Sequence, residues 1–228
     1  ATYLNFYALP LREEAPTLST TLTCLLCVFE FMLLATYFRA ACTHAGHLPA
    51  TYDGHDTDPL LEGRWCDKCQ TYRPERAHHC SICQECILHY DHHCIFINNC
   101  VGETNYKFFM LFIFYTPIAS IFVCATSWWA LPPLHAAVSF DDPQLVNFVF
   151  MYIVTAVFGV MVLVLLVMHA WLAGKNLTTI EFLRMQDTDS NPYPYDAGCL
   201  NNVEQRFGTA WLTWPLPIKP SVDAHRGG

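Results

Sequence analysis

Three long stretches of the chain are almost free of charged side chains, at residues 18–41, 108–130 and 145–173. Each provides the roughly 20 helical residues that a bilayer requires. A helix of that length in a soluble core would show a polar face. Here Glu30 is the only acid in the first stretch, and the other two contain no Asp, Glu, Lys or Arg. The pattern predicts three transmembrane helices.

The basic residues are distributed unevenly around these stretches, which predicts an orientation. Of twelve Lys and Arg residues, six lie in segment 39–107 and five follow the third stretch. Segments 1–17 and 131–144 hold only Arg12. Because cytosolic loops are enriched in Lys and Arg, we expect segments 42–107 and 174–228 to face the cytosol. Segments 1–17 and 131–144 are then lumenal or extracellular.

Composition agrees with a membrane protein. The chain is 53% hydrophobic and only 14% charged, whereas soluble domains average about 25% charged residues. Its formal net charge of −8 argues against broad electrostatic attraction to nucleic acid, so we expect no nucleic-acid partner.

Segment 66–100 contains seven of the twelve cysteines, interleaved with five histidines. The spacing C-x2-C-x9-H-x6-C occurs twice, with an offset of fourteen residues. The first set is Cys66, Cys69, His79 and Cys86, and the second is Cys80, Cys83, His93 and Cys100. Three thiols and one imidazole suit tetrahedral zinc. The sequence therefore predicts two structural zinc ions, with the chain weaving through both sites.

Spacing alone leaves one choice of ligand open. His78 and His92 are also fourteen residues apart, so either histidine of each pair satisfies the repeat. Two other interpretations of the cysteines are weaker. Disulfides would need an oxidising compartment, against the predicted topology. A RING-like domain of a membrane ubiquitin ligase fits the x9 and x6 spacings poorly and gives the seventh cysteine no role.

Cys94 is the cysteine that the two zinc sets leave over. A free thiol has a pKa near 8.5 and is mostly protonated at neutral pH. The neighbouring His92 can take its proton, and Asp91 can orient and stabilise that imidazole. His93 is the poorer base because it spends a ring nitrogen on zinc. We therefore predict that Cys94 is an activated nucleophile.

These residues resemble the DHHC family of integral-membrane protein S-acyltransferases, or palmitoyltransferases. The resemblance includes the Asp91-His92-His93-Cys94 string itself and the flanking motifs CDKC, RAHHCSIC, NNCVG and NYKFF. Further along, TTIE at 178–181 resembles the TTxE motif of the family, and YDAGCLNN at 195–202 resembles its C-terminal segment.

The resemblance implies a fold and a set of roles. The fold is a membrane all-α bundle with a cytosolic cysteine-rich domain that holds two zincs. Cys94, His92 and Asp91 are the implied catalytic residues, and His79 and His93 the implied zinc ligands. Thr179 would lie near Asp91. Asn202 would brace the C-terminal segment against the helices.

The family reaction moves a long-chain acyl group from acyl-CoA, with palmitoyl-CoA as the leading candidate, to the reactive cysteine and then to a protein. The implied partners are the bilayer and cytosol-facing proteins with juxtamembrane cysteines. The implied location is the Golgi or endoplasmic reticulum, or the plasma membrane. The helices should form an apolar cavity that opens beside Cys94. We consider five basic residues as contacts for the CoA phosphates: Arg64, Lys68, Arg73, Arg76 and Lys107.

The chain departs from the family pattern in two places. Ile95 and Phe96 stand where the family usually has Pro-Trp, and we expect Phe96 near the head of the acyl chain. One span precedes the zinc segment where the family usually has two. Either the chain is a piece of a longer protein, or the cavity lacks a wall. Both departures favour the alternative function, a catalytically weak, zinc-braced membrane scaffold.

Overall fold

The computed structural model describes residues 15–48, 65–128, 143–185 and 193–220. Its long helices are α1 (Pro16–Cys42), α2 (Tyr106–Ser127) and α3 (Pro143–Gly174). By length and composition all three can cross a membrane, which agrees with the three predicted spans. Their ends lie within three residues of the predicted bounds. The assignment of the connecting segments to the lumen or the cytosol stays a prediction, and most of segments 1–17 and 131–144 lies outside the described residues.

Residues 15–34, 112–128 and 143–167 form a helical unit. Gly159 on α3 lies so close to Ser120 on α2 that an added Cβ would be 2.6 Å from the Ser120 Cβ. Small residues at such a crossing let membrane helices approach closely. A mostly apolar cavity of about 590 Å³ lies in this unit, with Leu26, Phe148 and Glu30 among its lining residues.

Residues 35–48, 65–111, 168–185 and 193–220 form the second unit, which contains the cysteine-rich domain. This domain is built from three antiparallel hairpins. They pair β1 (Trp65–Cys66) with β2 (Thr71–Tyr72), β3 (His78–Cys80) with β4 (Glu85–Ile87), and β5 (His92–Cys94) with β6 (Asn99–Val101). Short strands therefore accompany the helices of the predicted fold.

The fourteen-residue repeat runs through all three hairpins. The paired residues are Cys66 with Thr71, Cys80 with Glu85, and Cys94 with Asn99. Each turn is closed by a residue with positive φ: Gln70, Gln84 and Asn98 at 52°, 60° and 48°. The hairpin that carries Cys94 is thus a third copy of the same turn.

The TTIE motif begins helix α4 (Thr179–Met185) with a capping box. The Thr178 hydroxyl accepts from the Glu181 N–H at 3.4 Å, and the Glu181 carboxylate accepts from the Thr178 N–H at 2.8 Å. These reciprocal bonds satisfy two backbone donors that a helix start leaves unpaired. They leave the N–H and hydroxyl of Thr179 available for another partner.

Asn202 lies on helix α5 (Cys199–Phe207) and is fully buried. Its amide nitrogen donates to the Gly174 carbonyl at 2.8 Å and to Asp196 at 2.7 Å. Its oxygen accepts from the Ala197 N–H at 2.9 Å. Asn202 therefore joins α5 to the last residue of α3.

Candidate active site and metal centres

The structure gathers each predicted Cys₃His set into one cluster. In the first cluster, His79 Nδ1 lies 3.2 Å from Cys69 Sγ and 3.9 Å from Cys86 Sγ. In the second cluster, His93 Nδ1 lies 3.4–3.7 Å from the three sulfur atoms, which belong to Cys80, Cys83 and Cys100. The choice that spacing left open falls on His79 and His93.

These distances fit a tetrahedral metal ion. Zn–S bonds of about 2.3 Å and Zn–N bonds of about 2.0 Å separate the ligand atoms by roughly 3.5 Å. The Cys83 and Cys100 sulfurs are 3.4 Å apart, and those of Cys69 and Cys86 are 3.5 Å apart. All of these thiols are free, and a disulfide would need about 2.05 Å. Both clusters can therefore bind zinc.

The thiols within a cluster oppose one another's ionisation. Burial raises the pKa of Cys86 and of Cys100, and the neighbouring thiols raise both further. Three crowded thiols do not ionise easily together, whereas a divalent cation stabilises their thiolates.

His78 and His92, the second members of the two histidine pairs, have opposite surroundings. Burial, together with the charges of Arg184 and Arg73, lowers the pKa of His78 to about 4. Burial acts on His92 in the same direction, but hydrogen bonds with Asp91 and Cys94 outweigh it and raise its pKa to about 9. His92 can therefore hold a proton at neutral pH, whereas His78 cannot.

Asp91 orients His92 from a fully buried position. The His92 Nδ1–H donates to Asp91 Oδ2 at 2.7 Å, which leaves Nε2 available for proton exchange. Thr179 donates twice to Asp91, from its N–H at 3.0 Å and its hydroxyl at 2.7 Å. Burial raises the pKa of Asp91, but the bonds from His92 and Thr179 lower it more. Asp91 thus stays ionised beside the imidazole.

Cys94 begins the turn of the third hairpin, where Ile97 takes the place of a second cysteine. Burial raises the pKa of the Cys94 thiol, but the bond with His92 and the backbone amides of Ile97 and Phe96 lower it more. The thiol is therefore set up to become a thiolate next to a protonated imidazole.

His169 is a buried neighbour of His92 that sequence reasoning did not place in the site. Its ring centre lies 5.8 Å from that of His92 and 5.0 Å from that of Phe109. Phe109 in turn meets the His92 ring at 5.3 Å. The Tyr106 hydroxyl lies 3.4 Å from His169 Nδ1. These contacts confine the imidazole of His92 between packed rings.

Arg76 and Glu181 form a largely buried ion pair, with side chains 7% and 16% exposed. Arg76 donates to both carboxylate oxygens, at 2.7 and 2.9 Å, and to Asn176 Oδ1 at 3.1 Å. Burial raises the pKa of Glu181, and its bond with Arg76 lowers it more. The pair ties the TTIE motif to the start of the second hairpin.

Some residues that we considered for phosphate contacts are therefore engaged elsewhere. Arg76 is held by Glu181, and buried Lys107 donates to the Thr213 carbonyl at 2.9 Å. Arg64 lies outside the described residues.

Ile95 and Phe96 are 76% and 57% exposed next to Cys94. The expected contact of Phe96 with an acyl chain stays a prediction.

The family model of the DHHC palmitoyltransferases matches residues 60–186, which include both clusters, Cys94 and TTIE. The chain belongs to the DHHC palmitoyltransferase family. With its three apolar helices, it is a multi-pass membrane protein.

Curated relatives agree with this family. The chain is 42% identical over 176 residues to palmitoyltransferase ZDHHC20 of Mus musculus, a match that covers 70% of this chain and 46% of the relative. It is 42% identical over 161 residues to ZDHHC20 of Homo sapiens, covering 70% and 44%. It is 38% identical over 163 residues to ZDHHC2 of Homo sapiens, again covering 70% and 44%. The chain spans about half the length of the curated relatives it matches.

Proposed function

We propose that this protein is an S-acyltransferase that moves a long-chain fatty acyl group from acyl-CoA to Cys94 and then to cysteines of protein substrates. The observation that carries the proposal is that Thr179 and His92 both hydrogen-bond to buried Asp91, three residues before a thiol that lies outside both zinc-type clusters. His92 also lowers the pKa of that thiol, Cys94. Membership of the DHHC palmitoyltransferase family supports it. The scaffold alternative rests on the two departures from the family pattern alone, and no contact around Cys94, His92 and Asp91 adds to it.

In the first step, the Cys94 thiolate attacks the carbonyl carbon of the acyl-CoA thioester. A new C–S bond forms at Cys94, and the bond between the acyl carbon and the CoA sulfur breaks. The CoA thiolate takes the proton that His92 removed from Cys94. One thioester replaces another, so the step needs no external energy source.

In the second step, a substrate thiol gives its proton to His92 and attacks the acyl group on Cys94. Cys94 leaves as a thiolate and regains its proton from His92. Throughout, Asp91 keeps the ring oriented and stabilises the imidazolium form. His92 therefore serves as the base in both half-reactions, and Asp91 holds its ring in place for both.

The two clusters would each hold a structural zinc ion through the eight Cys and His ligands described above. The bound metal supplies folding free energy, on the order of 10 kcal/mol for each site. The residues of the third hairpin, not the metal, then carry out the proton transfers. Rigid first and second hairpins would keep Cys94 and His92 in register.

Several features support a long-chain acyl-CoA as the donor. The cavity of about 590 Å³ in the helical unit offers apolar surroundings, and each buried CH₂ contributes ~0.8 kcal/mol. Arg73 and Arg184 line a separate cavity of about 330 Å³ in the second unit, where phosphate groups would find positive charge.

The acyl acceptors would be cytosol-facing proteins with juxtamembrane cysteines, at the Golgi, endoplasmic reticulum or plasma membrane. The cysteine-rich domain and the C-terminus would face the cytosol.

A pulse–chase experiment tests this proposal. The zinc-loaded chain is pulsed with a labelled long-chain acyl-CoA, freed of excess donor and chased with a membrane-anchored peptide that contains one cysteine. We expect hydroxylamine-sensitive label on Cys94 that moves to the peptide, no label on Cys94→Ala, and normal labelling of Cys199→Ala, in which an exposed thiol is removed. Label that survives Cys94→Ala, or that never moves to the peptide, would overturn the proposal.

A further inference from the structure

His44, His47 and Glu85 form a third group of metal-type ligands, outside both Cys₃His clusters. His44 Nε2 lies 2.9 Å from Glu85 Oε1, and His47 Nδ1 lies 3.5 Å from Glu85 Oε2. Within the part of the chain that the structure describes, the ligand atoms of the group lie within 4.8 Å of one another. Neither the family model nor the zinc repeat assigns these residues a role.

Backbone contacts bring the three side chains together from two distant segments. Segment 44–47 follows α1 and lies along the second hairpin, where the Leu88 N–H donates to the Gly46 carbonyl at 3.2 Å. His47 also forms a β-bridge with Ile87. Glu85 belongs to β4, directly before Cys86. The backbone thus fixes both segments whatever the three side chains do.

The side chains converge on one point. The rings of His44 and His47 stack with their centres 3.3 Å apart and their planes at 10°. In this arrangement one nitrogen of each ring faces a different oxygen of the same carboxylate. Two imidazoles and a carboxylate on one point are a donor set that transition-metal sites share.

The donor set indicates which ions would bind. Imidazole nitrogen suits zinc, cobalt, nickel and copper, whereas calcium and magnesium prefer sites made of oxygen alone. The His47 and Glu85 side chains are 69% and 37% exposed, so water can reach the group and complete the coordination. Three protein ligands with open positions differ from the closed Cys₃His clusters.

We propose that His44, His47 and Glu85 bind one divalent transition-metal ion, in addition to the two ions of the Cys₃His clusters. The ion would join the segment after α1 to the strand that carries Cys86. Binding has a cost in this geometry. His44 Nδ1 accepts a hydrogen bond from the Gly46 N–H at 3.1 Å, which places its proton on Nε2. Coordination through Nε2 moves that proton to Nδ1, gives up this bond and tilts the stacked rings.

The third ion should therefore bind more weakly than the ions of the Cys₃His clusters and exchange with solution. Thiolate clusters retain zinc during mild dialysis, whereas a partly exposed site with two imidazoles and one carboxylate releases it. Added Co²⁺ would then enter the third site first, with nitrogen and oxygen ligands. Its spectrum would show ligand-field bands without the sulfur-to-metal charge-transfer band of a thiolate site.

The test is equilibrium dialysis of the full chain in detergent, already holding two zincs, against Co²⁺. We expect the wild type to bind one Co²⁺ with a nitrogen and oxygen spectrum. His47→Ala and Glu85→Gln should each weaken this binding at least tenfold. Glu103→Gln, which changes an exposed carboxylate outside the group, should leave it unchanged.

Zinc content is measured in every variant, because Glu85 adjoins Cys86. If Glu85→Gln loses zinc, the proposal is tested by His47→Ala alone, because the His47 side chain is exposed and its loss should leave the Cys₃His clusters intact. Three results would overturn the proposal: no Co²⁺ bound above two zincs, binding that survives His47→Ala, or a sulfur charge-transfer band, which would show that Co²⁺ had entered a Cys₃His cluster.

Discussion

Cys94 occupies in the third hairpin the position that Cys80 occupies in the second. Cys80 pairs with Glu85 and Cys94 with Asn99, in the same register. Burial raises the pKa of both thiols, and amides of the turn lower it. The amides belong to Cys83 and Ile82 for Cys80, and to Ile97 and Phe96 for Cys94. The difference lies three residues on, where Cys83 is replaced by Ile97. The proposed nucleophile therefore stands at the hairpin position at which Cys80 joins a Cys₃His cluster.

Removing the Thr179 hydroxyl should slow acylation. Thr179→Val keeps the N–H bond to Asp91 but loses the hydroxyl bond of 2.7 Å to its carboxylate. A hydrogen bond to a charged group contributes about 1.5–3 kcal/mol, so we expect the acylation rate of Cys94 to fall by roughly tenfold or more. Thr179→Ser, which keeps the oxygen, should retain most of the rate. A wild-type rate in Thr179→Val would show that this bond does not matter.

Breaking the largely buried pair between Arg76 and Glu181 should destabilise the protein. Arg76→Ala leaves the largely buried Glu181 carboxylate without its cationic partner. Loss of one member of a fully buried pair costs about 3–5 kcal/mol, which is the upper bound here. Arg76→Lys should fall between Arg76→Ala and the wild type, because an ammonium group cannot donate to both oxygens in parallel. Thermal unfolding in detergent measures the effect.

Arg184→Ala is the matched control for Arg76→Ala, since Arg184 lies exposed on the same α4 helix as Glu181. We expect its effect to stay within about 0.5 kcal/mol. Equal melting temperatures for Arg76→Ala and Arg184→Ala would contradict the structural role of the pair.

Loss of one Cys₃His ligand should remove metal and disrupt the fold. Cys83→Ala deletes a sulfur that lies 3.4 Å from both His93 Nδ1 and Cys100 Sγ. Each bound zinc contributes on the order of 10 kcal/mol to the free energy of folding. We therefore expect that Cys83→Ala holds one zinc or does not fold. Cys199→Ala removes an exposed thiol and should keep both ions. Elemental analysis of the purified variants decides, and two zincs in Cys83→Ala would contradict the ligand assignment.

Asn202 and Asn201 are adjacent but should respond differently to truncation. Asn202→Ala removes three bonds from a buried position, including the one to Gly174, and should cost about 2 kcal/mol or more. Asn201→Ala removes one exposed bond to Ala197 and should cost little. Thermal unfolding and limited proteolysis of the C-terminal segment compare the two. Similar protection in both variants would argue against a bracing role.

Features carried by neighbouring residues could be predicted from the sequence. The apolar runs predict the three helices, because length and hydropathy alone identify a span. The six cluster cysteines follow from a spacing that occurs twice, which also narrows each histidine ligand to one of two neighbours. The contact between Asp91 and His92 follows from their adjacency in the chain.

Features that depend on tertiary packing could not be predicted. The third hairpin is not found by a search for C-x2-C pairs, because Ile97 stands where the second cysteine would be. His169 and Glu181 meet the site from segments far along the chain, and nothing in their own surroundings indicates which residue each will contact. Arg76 is an example, since the sequence gives no sign that this basic residue, which we considered for phosphate, pairs with Glu181.

The most direct test of the central claim is the single-turnover rate at which Cys94 is acylated by a long-chain acyl-CoA. It is compared among wild type, His92→Ala and Asp91→Asn, each checked for two zincs per chain. We predict rapid acylation of the wild type, a rate at least a hundredfold lower in His92→Ala and an intermediate rate in Asp91→Asn. Equal rates in wild type and His92→Ala, or no acylation of wild-type protein that holds both zincs, would contradict the account.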